Sequence, residues 1–286
     1  MTFISYAKNF EDVMLWRALK HVGSGFYVDA GAAWSDEHSV TKAFYERDWC
    51  GINIEPNPIL HVQLEQQRPK GINVCLAVSD HDVTQAMNLM ACTGLSTLND
   101  DIAQEDRRRG WSVDPRQLTV TSLDAIWRQH VPDDQDVHFL KIGVEGSEAA
   151  ALQGLNLHEF RPWIVVVEST LSLSQVEPHA VWEPVLLNAE YLLAYADEFN
   201  RYHVAKAHDE LLPVFRDPLN VFDGFKLATE LSAETRVQQA QAHAQQMEAG
   251  ARKEIQRAEA TRAERDTVRA SWSWCITGPL QFGGVC

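Results

Sequence analysis

Several things are scarce or missing in this 286-residue sequence, and each absence removes a class of function. No apolar run approaches the ~20 residues that a membrane-spanning helix needs; the longest clean ones are 163–167 and 191–196. The first dozen residues have neither a basic start nor an apolar core, so no cleaved signal peptide is expected. There are only five cysteines (Cys50, Cys75, Cys92, Cys275 and Cys286), and none forms a C-x-x-C pair. A disulfide scaffold or zinc ribbon is therefore not expected, and reduced thiols in a cytoplasm fit best. HExxH, G-x-x-x-x-G-K-[ST] and G-x-S-x-G are all absent, which removes the signalled zinc proteases, P-loop enzymes and serine hydrolases. Basic residues are few, 25 against 40 acidic, for a net charge of −15. The shortage is local. Residues 229–286 hold seven basic and seven acidic groups, so residues 1–228 carry 18 and 33 and the whole of the excess. Such a surface repels phosphate backbones, which argues against nucleic acid as a partner.

What is present is strand–helix alternation. Short apolar runs at 26–30 (FYVDA), 51–55 (GINIE), 72–78 (INVCLAV), 137–144 (VHFLKIGV) and 163–168 (WIVVVE) read as strands buried on both faces, as in a parallel sheet. Helical stretches lie between them: from an Asn9 cap to about His21, then 39–47, 58–67, 99–109, 123–130 and 147–153. Residues 84–91 read as an added strand, and 190–195 with 202–205 as a closing hairpin. The pattern predicts a doubly wound α/β sheet with helices on both faces. Trp16, Trp49, Trp127, Trp163 and Trp182 sit among apolar neighbours and are assigned to the core. From Ala228 the composition changes to Ala, Gln, Glu and Arg without proline up to about Ser271, predicting a long helix. The domain boundary is therefore drawn at 228, with 229–286 as a helical tail ending in an aromatic segment. Val237, Ala240, Ala244, Met247 and Ala251 keep heptad spacing until Glu254 interrupts the seam. That tail is a candidate for self-association or for docking on a partner.

Ligands of open α/β sheets bind beyond the carboxyl ends of the strands. The first such end is Asp29-Ala30-Gly31-Ala32-Ala33, where Gly31 admits close approach and Asp29 can accept from an ammonium group. Glu55 ends the second strand, 26 positions later, where a carboxylate can accept both hydroxyls of a ribose. A dinucleotide needs three glycines for its pyrophosphate, and this loop has one, followed by bulky Trp34. S-adenosylmethionine has a ribose diol and an amino-acid end but no phosphate, so it suits the pair better. Ala77 and Val78 at the third strand end are expected beside the adenine.

The stretches SYAKNFEDVMLWRALK, GFYVDAGA, HSVTKAFYERDWCGINIEPNP, GLSTL, HFLKIGVEGSE, RPWIVVVEST, NRYHVA and NVFDGF together resemble the FkbM family of S-adenosylmethionine-dependent methyltransferases over roughly residues 3–225. The resemblance implies a class I, Rossmann-like methyltransferase fold and methyl transfer, usually to a hydroxyl, with related domains attached to bacterial surface-polysaccharide biosynthesis. The segment SWSWCITGPLQ (271–281) is similar to a tail found in glycan-assembly proteins, with Cys275 and Gln281 where arginine is more usual. Two stretches depart from the family pattern. The first loop has Ala33 and Trp34, and the fourth strand ends Lys141-Ile142-Gly143-Val144-Glu145-Gly146, with Gly143 where an Asp is usual.

Transfer to oxygen requires alignment and a proton acceptor. Glu145, Glu168 and His38 are the candidate bases. Each has a duller alternative: Glu145 as a cap on the next helix, Glu168 as a salt-bridge partner, and His38 as a structural donor. Asp29, Gly31, Ala32, Glu55, Ala77, Val78 and Gly143 are the expected cofactor contacts. With Gly143 the carboxylates fall short of a divalent-metal site, so no metal is expected. The sequence therefore predicts an O-methyltransferase acting on a sugar or surface-glycan intermediate, cytoplasmic or peripheral to the inner membrane. The alternative is a catalytically weakened, methyltransferase-like scaffold module.

Overall fold

The computed structural model describes residues 2–90, 93–170 and 179–277, the last five by backbone alone. Two units are distinguished, Met1–Ala228 and Thr229–Cys286. The first unit opens with β1 (Phe3–Ser5) and α1 (Glu11–Leu19). It then alternates through β2 (Phe26–Ala30), α2 (Lys42–Tyr45), β3 (Cys50–Ile54), α3 (Pro58–Gln67) and β4 (Ile72–Val74). An inserted portion follows: β5 (Ala77–Ser79), β6 (Val83–Met90), α4 (Asp100–Arg108), β7 (Val113–Ser122) and α5 (Leu123–His130). The main sheet resumes with β8 (Phe139–Ile142), α6 (Glu148–Gln153), β9 (Ile164–Glu168), α7 (His179–Asn188), β10 (Tyr191–Ala196) and β11 (Asn200–Ala205), and β12 (Phe225–Leu227) closes the unit.

The seven-stranded sheet has the order β10-β11-β9-β8-β2-β3-β4. Strands β4, β3, β2, β8 and β9 are parallel, and β11 runs antiparallel between β9 and β10. Every residue of β2 is buried. One apolar layer packs Val28, Ile52, Leu140, Val165 and Trp182 on one side of the sheet. The other packs Leu15, Tyr27, Phe44, Phe139 and Tyr202. Burial on both faces is why these strands are continuous in hydrophobicity. Trp49, Trp127 and Trp182 are buried, and Trp16 and Trp163 pack partly buried against the core.

Several local expectations are corrected. Residues 72–78 do not form one strand. Ala77–Ser79 leaves the main sheet and pairs with β7 in a three-stranded sheet, order β5-β7-β6. Strand β7 was unread in the sequence because Asp114, Pro115, Arg116 and Gln117 break its alternation and Pro115 opposes strand assignment. It is nonetheless held by pairing with β6 from Val83 to Met90. Asn9 does not cap the first helix. Phe10 occupies the cap with φ 60 and no side-chain bond, and the Asn9 amide donates to Glu11 Oε2 at 2.9 Å. Helix α7 went unread because Pro184 lies inside it. The short parallel pair β1–β12 joins the two ends of the first unit, a contact 222 positions apart in register at Phe3 and Phe225.

In the second unit, α8 (Ala228–Thr277) is one unbroken helix through Gly250 and Glu254. Its 50 residues span ~75 Å at 1.5 Å per residue. Val237, Met247, Ile255, Val268 and Trp272 are exposed. No helix among the described residues is long and apolar enough to cross a membrane. Cys92, Cys286, the side chain of Cys275 and the segment likened to glycan-assembly tails from Gly278 on lie outside the described residues.

Candidate active site

The carboxyl ends of β2, β8 and β9 open into a cleft of about 300 Å³ that includes Asp29, Gly31, Ala32, His38, Gly143, Glu145 and Glu168. A smaller cavity of about 20 Å³ adjoins it and is lined by Gly31, Glu55, Ala77, Val78 and Gly143. Every candidate base and expected cofactor contact thus borders one of two neighbouring hollows that share Gly31 and Gly143.

Gly31 has to be glycine. Its φ is +82, and a Cβ there would stand 1.9 Å from the Gly143 carbonyl oxygen. The backbones after β2 and β8 therefore touch, and no side chain fits between them. Around this point the main chain is unusually strained: Ala33, His38 and Glu145 have φ of 50, 59 and 51. Non-glycine residues in that region cost of order 1–3 kcal/mol each and collect at functional sites. Glu145 owes its position to this backbone, not to strand alternation, because β8 ends at Ile142. Its carbonyl accepts from the Thr97 hydroxyl at 2.7 Å. The carboxylate on the following loop is supplied by Glu148, whose Oε1 accepts from the Val144 and Gly146 amides at 3.1 Å each.

Asp29 is 1% exposed. Its Oδ2 accepts from Thr41 Oγ1 at 3.0 Å, whereas Oδ1 makes no hydrogen bond. A buried carboxylate oxygen without a donor is costly unless a ligand supplies one. Thr41 is itself set by Arg68, which is fully buried and donates from Nη1 to Thr41 Oγ1 at 2.7 Å and from Nε to Ser35 O at 3.0 Å. Arg68 thus fixes the loop after β2 and, through Thr41, the orientation of Asp29. Both residues escaped the sequence reading, since nothing in α3 or the loop marks them.

Lys141 was also missed. A lysine inside the run HFLKIGV was the available signal, because lysine is seldom buried without a purpose. Its Nζ donates to Gly31 O at 3.0 Å and lies 3.8 Å from Asp29 Oδ1. Burial disfavours its charge, but Asp29, Glu168, Glu11 and Glu145 outweigh that and raise its pKa. Glu168 is pushed up to about 8, by burial first and then by Glu145, with Lys141 opposing. The antiparallel register of β9 with β11 sets Asn200 beside Glu168, and Asn200 Nδ2 donates to Glu11 Oε1 at 2.9 Å.

Position 143 has no acid of its own, but the space is not empty. A Cβ there would lie 2.6 Å from Lys141 Nζ and 2.8 Å from Glu168 Oε2. The carboxylate expected from residue 143 is therefore replaced in space by one from the next strand. His38 lines the cleft at its edge, 44% exposed in its side chain, with its ring edge-on to Trp34.

Glu55 is buried and accepts from the Ala33 amide on Oε2 and the Asn57 amide on Oε1, each at 2.8 Å. Burial pushes its pKa up to about 7 against those two donors. Each oxygen retains a lone pair for a ligand.

The model of the methyltransferase FkbM domain matches residues 29–195. The chain belongs to that family. The match begins at Asp29 and ends in β10, so it spans the whole cleft except its N-terminal wall, Phe199 and Asn200, and leaves α8 outside. Among solved structures, the chain is similar to a TehB-like SAM-dependent methyltransferase from Corynebacterium glutamicum, at 12% identity and a TM-score of 0.37, covering 68% of this chain and 88% of that one. No curated protein matches.

Proposed function

We propose that this FkbM-domain methyltransferase transfers a methyl group from S-adenosylmethionine to a hydroxyl of a sugar or surface-glycan intermediate. The observation that carries the reading is the buried Asp29 Oδ1, which has no hydrogen-bond donor and only the Lys141 ammonium at 3.8 Å, in a cleft that also gathers Glu145 and Glu168 near Gly143. The residues fit the cofactor by chemistry. Asp29 Oδ1 awaits a donor such as the ammonium of an amino acid, and Glu55 can accept from a ribose diol. The small cavity between Glu55, Ala77 and Val78 has room for little more than a water, and a nucleoside needs more space there than this conformation gives.

When bound, the cofactor supplies a methyl already activated by a sulfonium. The chain's own work is to hold and to take a proton. Asp29 and Glu55 hold. Glu168 Oε2, beside Gly143, accepts the hydroxyl proton, and a pKa of about 8 makes it an effective base once ionised. Lys141 keeps its charge and prevents four neighbouring carboxyls from repelling one another. The rival reading, a weakened binding module, has the missing acid at 143 on its side. Among the described residues, Cys50 and Cys75 are exposed and free.

Calorimetric titration with S-adenosylmethionine, followed by release of demethylated cofactor over a panel of sugar acceptors, tests the proposal. Glu168→Gln should leave cofactor affinity within about twofold and lower turnover by ~10²-fold or more. Absence of cofactor binding refutes the enzyme reading. Binding without turnover on any acceptor favours the module.

A further inference from the structure

We infer that the acceptor part of this cleft takes an uncharged pyranose residue, stacked on Trp111, and rejects the same sugar when it carries a phosphate. The inference rests on the methyl-transfer reading above and specifies its substrate class. Three aromatic residues from separate segments border the cleft: Trp34 after β2, Trp111 between α4 and β7, and Phe199 in the β10–β11 turn. Trp111 and Phe199 are 42% and 41% exposed, whereas Trp49, Trp127 and Trp182 are buried in the core. Trp34 packs against Gly94 and meets His38 edge-on. Single exposed apolar side chains need no explanation, but rings grouped at a polar cleft do. A pyranose has an apolar C–H face and a rim of hydroxyls. Aromatic faces suit the first, and hydrogen-bond acceptors suit the second.

The floor supplies those acceptors. Glu145, Glu168 and Asn200 line the same cleft. Charge decides what else is admitted. Four carboxyl residues (Glu11, Asp29, Glu145 and Glu168) face two lysines, and no arginine is among the lining residues. Lys141 is occupied with Gly31 and Asp29, and Lys8 lies 5.9 Å from the Phe199 ring centroid. Phosphate recognition ordinarily uses arginine forks or clustered lysines. Here a phosphate would meet the carboxylates of Glu11, Asp29 and Glu145 in a partly enclosed site of an acidic protein, where like charges repel.

The test is a ligand-observed NMR titration of the full chain with the demethylated cofactor product present. The probes are methyl pyranosides of common hexoses and 6-deoxyhexoses, each hexose being paired with its 1- and 6-phosphates. At least one neutral glycoside should bind, and its phosphorylated partners should bind at least about tenfold more weakly. Trp111→Ala should weaken the glycoside about fivefold or more while Trp111→Phe retains most of the affinity. Trp111 is half-exposed and tied to the fold through its backbone amide on Asp106 O at 3.0 Å, so unchanged melting temperatures should accompany both variants. Equal or tighter binding of the phosphates overturns the inference, as does indifference to Trp111→Ala. Failure of every glycoside to bind while the cofactor product binds overturns it too, and leaves the methyltransferase reading standing. Failure of the cofactor product to bind removes that reading as well.

Discussion

Substituting Gly143 by Asp restores the residue usual in the family, and the structure predicts that it will disturb the site instead of completing it. The new Cβ would sit 2.6 Å from Lys141 Nζ and 2.8 Å from Glu168 Oε2, both ends of flexible side chains. They can yield, so the fold should lose only ~1–3 kcal/mol. The electrostatics matter more. Two unit charges ~4 Å apart at an effective dielectric of about 20 interact by ~4 kcal/mol. At neutral pH Glu168 is mostly protonated, so the new carboxylate chiefly gains from Lys141, and the cost of its own desolvation opposes that gain. Both effects act on Glu168 in one direction: a second negative neighbour arrives and its one cation is drawn away. Even discounted for solvent in the cleft, this should raise the Glu168 pKa above its present value of about 8 by roughly one unit or more. Turnover at neutral pH should then fall about tenfold, with recovery at higher pH, while cofactor affinity stays nearly constant. Initial rates between pH 6 and 9.5 read the shift, and carboxyl-carbon NMR titration of Glu168 reads it without any acceptor. A Gly143→Asp protein that is faster at neutral pH with an unmoved Glu168 titration would refute the reasoning and show that residue 143 completes the site.

Glu55→Gln should weaken S-adenosylmethionine binding by roughly tenfold or more; because both oxygens hold backbone amides, it should also destabilise the free protein by ~1–3 kcal/mol, readable by denaturant titration. Unchanged binding would remove Glu55 from the site. Cleavage of the chain after Ala228 should leave a folded domain with full cofactor affinity, whereas ending it at Phe225 should lower the melting temperature, since Lys226 and Leu227 pair with Ile4 and Ser5. Asp12 and Glu55 are both pushed up to about 7 by burial. Carboxyls raised in this way stabilise the fold at low pH and lose that contribution as pH rises towards 7. The melting temperature should therefore fall between pH 5 and 8, by the equivalent of ~2–3 kcal/mol for each group. The fall should persist in about 0.5 M salt, which screens the surface charge; a flat or rising profile would contradict the burial argument.

The sequence by itself determined most of the main sheet and which residues end its strands. Runs such as FYVDA and IVVVE are apolar throughout because both faces are buried, and that requirement is written residue by residue. That Asp29, Gly31, Glu55 and Glu168 lie around neighbouring hollows was legible because strand ends in such a sheet converge on one edge. The excursion of Ala77–Ser79 into a second sheet was not legible, because its partner strand β7 is polar, interrupted by Pro115, and held by pairing over long range. Nor was the pairing of β1 with β12. Above all, only the tertiary structure decided what stands at position 143. Read along the chain, Gly143 marks a lost acid. In space, Glu168 comes from the adjacent strand and Lys141 from the same one; burial and then Glu145 raise the pKa of Glu168, while Asp29, Glu168, Glu11 and Glu145 keep Lys141 charged against its burial. Strand neighbours are fixed by sheet order, and pKa values by whichever charges the fold brings within a few ångströms. Neither quantity is local in the chain.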